Sequence, residues 1–177
     1  MNFDLTAFKI SDSKLVLKQA ANEIVKLNAE TAQFGLYLTG EQAMELAETR
    51  DISLKDSGRI ELGVGIILNI IKTFCDSPYL SKYNYADTIN ELVEMFYYYK
   101  NETMDLISDQ ELLEWMKASF DGVCEGSIEL LGSREMERMA RNVRFGRDPF
   151  SPGAFEEADE DEVRGEEEEE DYEYGWD

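Results

Sequence analysis

No histidine occurs among the 177 residues. That absence removes the imidazole base of Ser-His-Asp and Cys-His catalysis, and with it the commonest ligand of zinc, haem and non-haem iron. Cysteine is nearly as scarce. Cys75 and Cys124 are the only thiols and stand in no CxxC spacing, so zinc and redox dithiol motifs are absent. Spacing alone leaves a disulfide between them open. The opening MNFDLTAFKI lacks the basic start and long apolar run of a secretory signal, so reduced thiols and a cytoplasmic setting are expected. Long apolar runs are missing too. The most apolar stretch, Ile60 to Cys75, is interrupted by Glu61, Asn69 and Lys72. It falls short of the ~20 residues of a spanning helix and reads as a buried core helix, with no membrane partner implied.

Positive charge is the other deficit: 17 Lys plus Arg stand against 39 Asp plus Glu, for a net charge of −22. Direct nucleic-acid binding by the whole surface is disfavoured, because neutralising phosphates takes Lys and Arg. A partner chosen by charge is basic. The charge is uneven: residues 148–177 hold 15 acidic residues and one basic residue, Arg164, and so carry −14 of the total, leaving −8 for residues 1–147. A body of that length buries roughly 68% of its unfolded surface in one core. The stretch EEADEDEVRGEEEEEDYEYGWD cannot bury enough apolar area to offset ordering, so residues 148–177 read as a disordered acidic tail.

Proline is rare as well, with Pro78 the only one before residue 149, which suits a helix-rich body. Residues 1–10 alternate briefly and then shift phase, as an edge strand or docked arm would. Leu17, Ala20, Ala21, Ile24 and Leu27 recur at helical spacing after a Ser13 cap. Phe34, Leu36 and Leu38 give a weak strand signal. Thr39 with Gln42, and Ser108 with Glu111, are capping boxes that open helices to about Lys55 and through Met116. Gly58 ends the first of these, and a helix from Arg59 to about Asp76 follows, in which Gly63 and Gly65 imply a close neighbouring backbone. Further helices are expected from Asn84 to Lys100 and from Ser127 to Arg144, the last broken at Gly132-Ser133. The fold class is all-α: one domain, residues 1–147, of five to seven helices, with room for one short strand pair.

Three features could hold a partner. Tyr97, Tyr98 and Tyr99 close an aromatic-rich helix, where core plus interface is a plainer reading than base stacking. Arg134, Arg138, Arg141 and Arg144 make a basic ridge on a helical wheel, extended by Arg147, suited to bidentate contact with phosphate or carboxylate or simply to a solvated helix end. Tyr172, Tyr174 and Trp176, with Phe155, sit among tail carboxylates as docking motifs do. The tail's adjacency to the ridge suggests that residues 156–173 fold back on it. Carboxylate groups such as Glu45, Glu48 and Asp51, or Glu91 and Glu94, match no metal site without histidine or an EF-hand loop, and no cofactor is expected. Cys124, between Gly122 and Gly126, has Asp121 and Glu125 beside it to blunt its nucleophilicity.

The strings AETRDISLKDSGRIELG (47–63), FCDSPYL (74–80), YADTINELVEMFYYYKNET (85–103), ISDQELLEWM (107–116) and REMERMARN (134–142) resemble a family of small uncharacterised Firmicutes proteins. The resemblance covers roughly residues 36–145. It implies a bacterial cytoplasmic protein and carries no catalytic residues. The expected role is non-enzymatic: an interaction or adaptor protein using the tyrosines, the arginine ridge or the tail. The alternative is an acidic mimic of nucleic acid that occupies a basic DNA- or RNA-binding protein. A homo-oligomer is compatible with either.

Overall fold

The computed structural model describes residues 5–152. Eight helical segments follow one another: α1 (Leu5–Lys26), α2 (Asn28–Thr31), α3 (Gly40–Asp56), α4 (Gly65–Phe74), α5 (Tyr85–Glu102), α6 (Asp109–Asp121), α7 (Ile128–Leu130) and α8 (Glu137–Arg144). A short 3-10 turn, Ala32–Phe34, follows α2, and a π-helical turn, Leu131–Met136, joins α7 to α8. The all-α reading holds. No strand occurs among the described residues.

Both capping boxes form as their chemistry dictates. Gln42 N–H donates to the Thr39 hydroxyl (3.1 Å) and Thr39 N–H to the Gln42 side chain (2.9 Å), with the same reciprocal pair at Ser108 and Glu111. Helix α3 packs between α1 and α5, while α4 lies against α5 and α6. Ile24, Leu46, Ile67, Ile70, Phe74, Ile89, Leu92, Phe96, Leu112, Met116 and Phe120 fill the space between them, with Met136 and Met139 closing it from the π turn and α8.

Five expectations are corrected. Residues from Leu5 onward belong to α1, so the strand or arm proposed for residues 1–10 does not form there; Phe8 stands three residues after Leu5, a helical spacing that overrides the short alternation. The Phe34–Leu38 alternation is not a strand either. Its partner is a side chain: Asn28 donates to the Leu38 carbonyl (2.8 Å) and accepts from its N–H (2.9 Å), and the Thr31 hydroxyl donates to the Leu36 carbonyl (2.8 Å). This buries Leu36 and Leu38 without a neighbouring strand. The expected Arg59–Asp76 helix begins only at Gly65, because α3 closes on Gly58 with Gly58 N–H on the Lys55 carbonyl and Arg59 N–H on that of Leu54, and Gly63 then adopts a positive φ of 74°. Nothing approaches the Cβ positions of Gly63 or Gly65. Finally, Gly132-Ser133 does not break the last helix; the π turn carries it through, and the freed Gly132 carbonyl accepts the Tyr99 hydroxyl (2.8 Å).

Asn28→Ala leaves the Leu38 N–H and carbonyl without the partner that stands in for a strand. Unpaired buried groups cost about 1–3 kcal/mol each, so the variant is expected to unfold at distinctly lower urea with an unchanged slope; an unchanged midpoint would contradict the assignment.

Candidate functional site

The three tyrosines are spread over 200° of helix α5 at ~100° per residue, and the structure separates them accordingly. Tyr97 is buried and gives its hydroxyl to Glu61 (2.7 Å); Tyr99 is buried and gives its own to the Gly132 carbonyl. Burial raises both phenols, Tyr99 to about 12, and in Tyr97 the bond to the Glu61 carboxylate adds to the rise. They stay neutral donors at any ordinary pH. Tyr98 alone faces outward, 56% exposed, its ring set edge-on to Tyr99 at 4.9 Å.

Tyr98 belongs to a row that repeats every three or four residues on α5: Asp87, Glu91, Glu94, Tyr98, Asn101, all exposed. Helix α3, packed against α5, carries a comparable row of Glu41, Glu45, Glu48, Ile52 and Asp56. Where the two helices and α7 meet, an open groove of about 700 Å³ forms. Ile52, Met95, Tyr98 and Ile128 give it an apolar lining, Asp56, Glu91 and Glu94 supply carboxylates, and edges of Tyr97 and Tyr99 also reach it. Neither lysine nor arginine lines it. The volume falls in the range of ligand and peptide clefts. The groove brings together the tyrosines and one of the carboxylate pairs visible in sequence; its opposite wall on α3 was not anticipated, although Ile52 among acidic residues at helical spacing was a usable sign.

The arginine ridge is different from its wheel projection. The π turn adds a residue to one turn of helix, so Arg134 leaves the straight alignment with Arg138 and Arg141. Arg134 (3.1 Å) and Arg138 (2.6 Å) converge on Glu135, whose side chain is only 2% exposed. Glu135 is the residue that sequence reasoning missed, although Glu followed three positions later by Arg is a recognisable helix pair. Arg144 reaches Glu102 (2.6 Å) and Glu137 (3.3 Å), which raises its already high pKa, chiefly through the Glu102 bond. Arg147 lies over the Phe145 ring. Among the described residues Arg141 alone of the five has neither an acidic nor an aromatic partner. The ridge is therefore largely neutralised within the body.

Beyond Arg147 the chain stays attached as far as it is described. Buried Asn142 donates to the carbonyls of Ser151 (2.9 Å) and Pro149 (3.3 Å), and Phe150 stacks on Trp115 with ring centres 5.0 Å apart. Tyr172, Tyr174, Trp176, Phe155 and the proposed fold-back of residues 156–173 lie outside the described residues. No cluster of His, Cys, Asp and Glu suited to a metal ion occurs among the described residues, and no helix there is long and apolar enough to cross a membrane.

Residues 23–149 match the model of a family of unknown function (DUF6323), and the chain belongs to that family. The match reaches further toward the N-terminus than the stretch from residue 36 on which the resemblance was drawn, taking in the last turn of α1. No curated protein and no solved structure matches the chain.

Both thiols are free. Burial raises the pKa of each, aided at Cys75 by Asp76 and at Cys124 by Glu135 rather than by the flanking Asp121 and Glu125. Cys124 is buried behind the turn that links α6 to α7, while Cys75 is half-buried. Timed iodoacetamide labelling of the native chain near neutral pH is accordingly expected to modify Cys75 first, with Cys124 reacting only when urea opens the core; equal native rates would contradict this placement.

Proposed function

We propose that this protein is a non-catalytic interaction module that captures a basic, amphipathic helical segment of another protein in the groove between α3 and α5. The observation that carries the reading is the composition of that groove: an apolar lining of Ile52, Met95, Tyr98 and Ile128 with Asp56, Glu91 and Glu94 at its edges and no cation to oppose them. An apolar face of the incoming helix would cover Tyr98 and Ile52, and its lysines or arginines would meet the carboxylates, as in helix-in-groove recognition. Free thiols fit a reducing, cytoplasmic setting.

A second reading draws on the same helices. Glu41, Glu45, Glu48, Asp87, Glu91 and Glu94 are exposed on rigid helices rather than in the tail, which is what imitation of a phosphate backbone needs. In that case the carboxylates suffice and the apolar lining is incidental.

A labelled amphipathic peptide of leucine and lysine, titrated by fluorescence anisotropy against the full chain, separates the two. Groove capture predicts that Tyr98→Ala weakens binding about 10-fold, as removal of an aromatic anchor does, and that Glu91→Lys with Glu94→Lys weakens it further. Binding that ignores Tyr98→Ala and vanishes by ~0.5 M salt favours mimicry. A peptide that fails to bind at all overturns the groove.

A further inference from the structure

Lysines without an acidic partner mostly stand singly. Among the described residues Lys55 in the last turn of α3, Lys72 on α4 and Lys82 ahead of α5 are exposed one at a time, and Lys82 lies over the Tyr83 ring (4.9 Å). Helix α1 is different. Lys14, Lys18 and Lys26 are all exposed there, and none has an ion pair among the described residues.

At ~100° per residue, Lys14, Leu15, Lys18, Asn22 and Lys26 share an arc of about 120°. Every one of them is exposed, Leu15 by 57%, while Ala21 and Ile24 are buried outside the arc. The only carboxylate between Lys14 and Lys26 is Glu23, about 60° beyond the arc's edge, where it lines a cavity with Arg50. Helix α1 thus turns outward a basic face with one leucine set among its lysines.

The rest of the body does not share this character. Residues 1–147 carry −8, so a polyanion is repelled from most of their surface and drawn to this face. One polyanion is covalently attached. Residues 153–177 hold 14 acidic residues and one basic residue, Arg164, and so carry −13. Six consecutive carboxylates, 166–171, lead there into Tyr172, Tyr174 and Trp176 at alternate positions. That pattern answers the face of α1: carboxylates suit the ammonium groups, and rings suit Leu15 and the apolar stems of the lysines.

Reach and competition agree with the match. The described chain stops at Pro152, just past the contacts of Asn142 with Ser151 and of Phe150 with Trp115, and 177 − 152 = 25 residues follow. Fully extended they span ~80 Å, whereas halfway round a body of this length, about 40 Å across, is ~60 Å. The far end of the segment can therefore reach α1 even from the opposite side of the molecule. Other sites are less open to it. Arg134, Arg138 and Arg144 are matched by carboxylates, and the α3–α5 groove presents Asp56, Glu91 and Glu94 without a cation.

We infer that residues 166–177 occupy the outward face of α1 in their own chain, with carboxylates on Lys14, Lys18 and Lys26 and aromatic rings over Leu15. Tethering sets the effective concentration of the segment on the order of millimolar, so it outcompetes acidic partners present at lower levels. The face is thereby satisfied within the chain, and the groove stays free of the acidic segment.

Carbodiimide coupling tests this, because it joins a carboxylate to a lysine amine only where the two touch. The full chain is used at about 1 μM, far below the effective concentration of a tethered segment, as a mixture of isotope-labelled and unlabelled protein. Products that join residues 166–177 to Lys14 and Lys18 are expected within single chains, about 10-fold more abundant than those at Lys55, Lys72 or Lys82, as a few exposed ion pairs acting together allow. They should be largely lost at ~0.5 M salt. In a Lys14→Glu, Lys18→Glu double variant, coupling at Lys26 should drop to the level of Lys55, while far-UV circular dichroism stays unchanged because both side chains are exposed. Coupling spread evenly over the six lysines, products that chiefly join labelled to unlabelled chains, or coupling at Lys26 that ignores the double variant would each overturn the inference.

Discussion

Helix α5 has to satisfy every neighbour at once, and the rest of the molecule is arranged around that demand. Tyr85, Ile89, Leu92, Val93 and Phe96 are buried against α3, α4 and α6. Its C-terminal turn does a different job. Tyr97 reaches the α3–α4 segment through Glu61, Tyr99 reaches the π turn through Gly132, and Lys100 reaches the loop before α6 through the Ile107 carbonyl (2.6 Å). Three consecutive directions on one helix thus hold three otherwise irregular stretches. The exposed stripe that remains, with Glu91, Glu94, Tyr98 and Asn101, forms the α5 wall of the groove.

Much of this could be read from the sequence because much of it is local. Thr39 with Gln42 and Ser108 with Glu111 declare helix starts through hydrogen bonds spanning three residues, and Gly58 declares an end in the same way. The separation of Tyr97 from Tyr98 and Tyr99 was also available from 100° per residue. What could not be read depends on distant partners. Nothing near Leu38 announces that Asn28 will take the place of a strand, and nothing near Ile60 or Leu62 shows that Arg59 and Glu61 will turn inward to Asp105, Arg50 and Tyr97. An apolar run reports hydrophobicity without direction, so the segment passed for the first turn of a core helix. The arginine ridge misled for a related reason: a wheel assumes constant pitch, and the π turn at Leu131–Met136 changes it where Glu135 is drawn into the interior.

The scarcity of cations gives these details a common logic. Taking a charge out of water is costly unless a partner meets it, and the few cations of this chain that are buried or half-buried are placed where irregular backbone must be fixed. Arg50 holds the Glu61 carbonyl, and Arg59 ties the same segment to Asp105. Lys100 gathers Asp105, Asp109 and the Ile107 carbonyl, while Lys117 joins Asp76 (2.9 Å) at the end of α4 to Asp121 (2.5 Å) at the end of α6. Each clamp removes a cation from the surface. Arg134, Arg138 and Arg144 are likewise matched by carboxylates, while Lys14, Lys18, Lys26, Lys55, Lys72 and Lys82 stay exposed.

Cations are therefore allocated differently to the α3–α4 segment and to the outward rows of α3 and α5. Around Ile60 and Leu62 the cations that fix the segment, Arg50 and Arg59, are paired with Asp51 and Asp105, while the Glu61 carboxylate holds the Tyr97 hydroxyl. Along the outward rows of α3 and α5 regular helix satisfies its own backbone, and neither lysine nor arginine lines the groove between them. A net charge of −22 does not by itself say where an acidic protein is sticky or repellent. The requirement to hold irregular backbone in place does, since it decides which carboxylates are left without a partner.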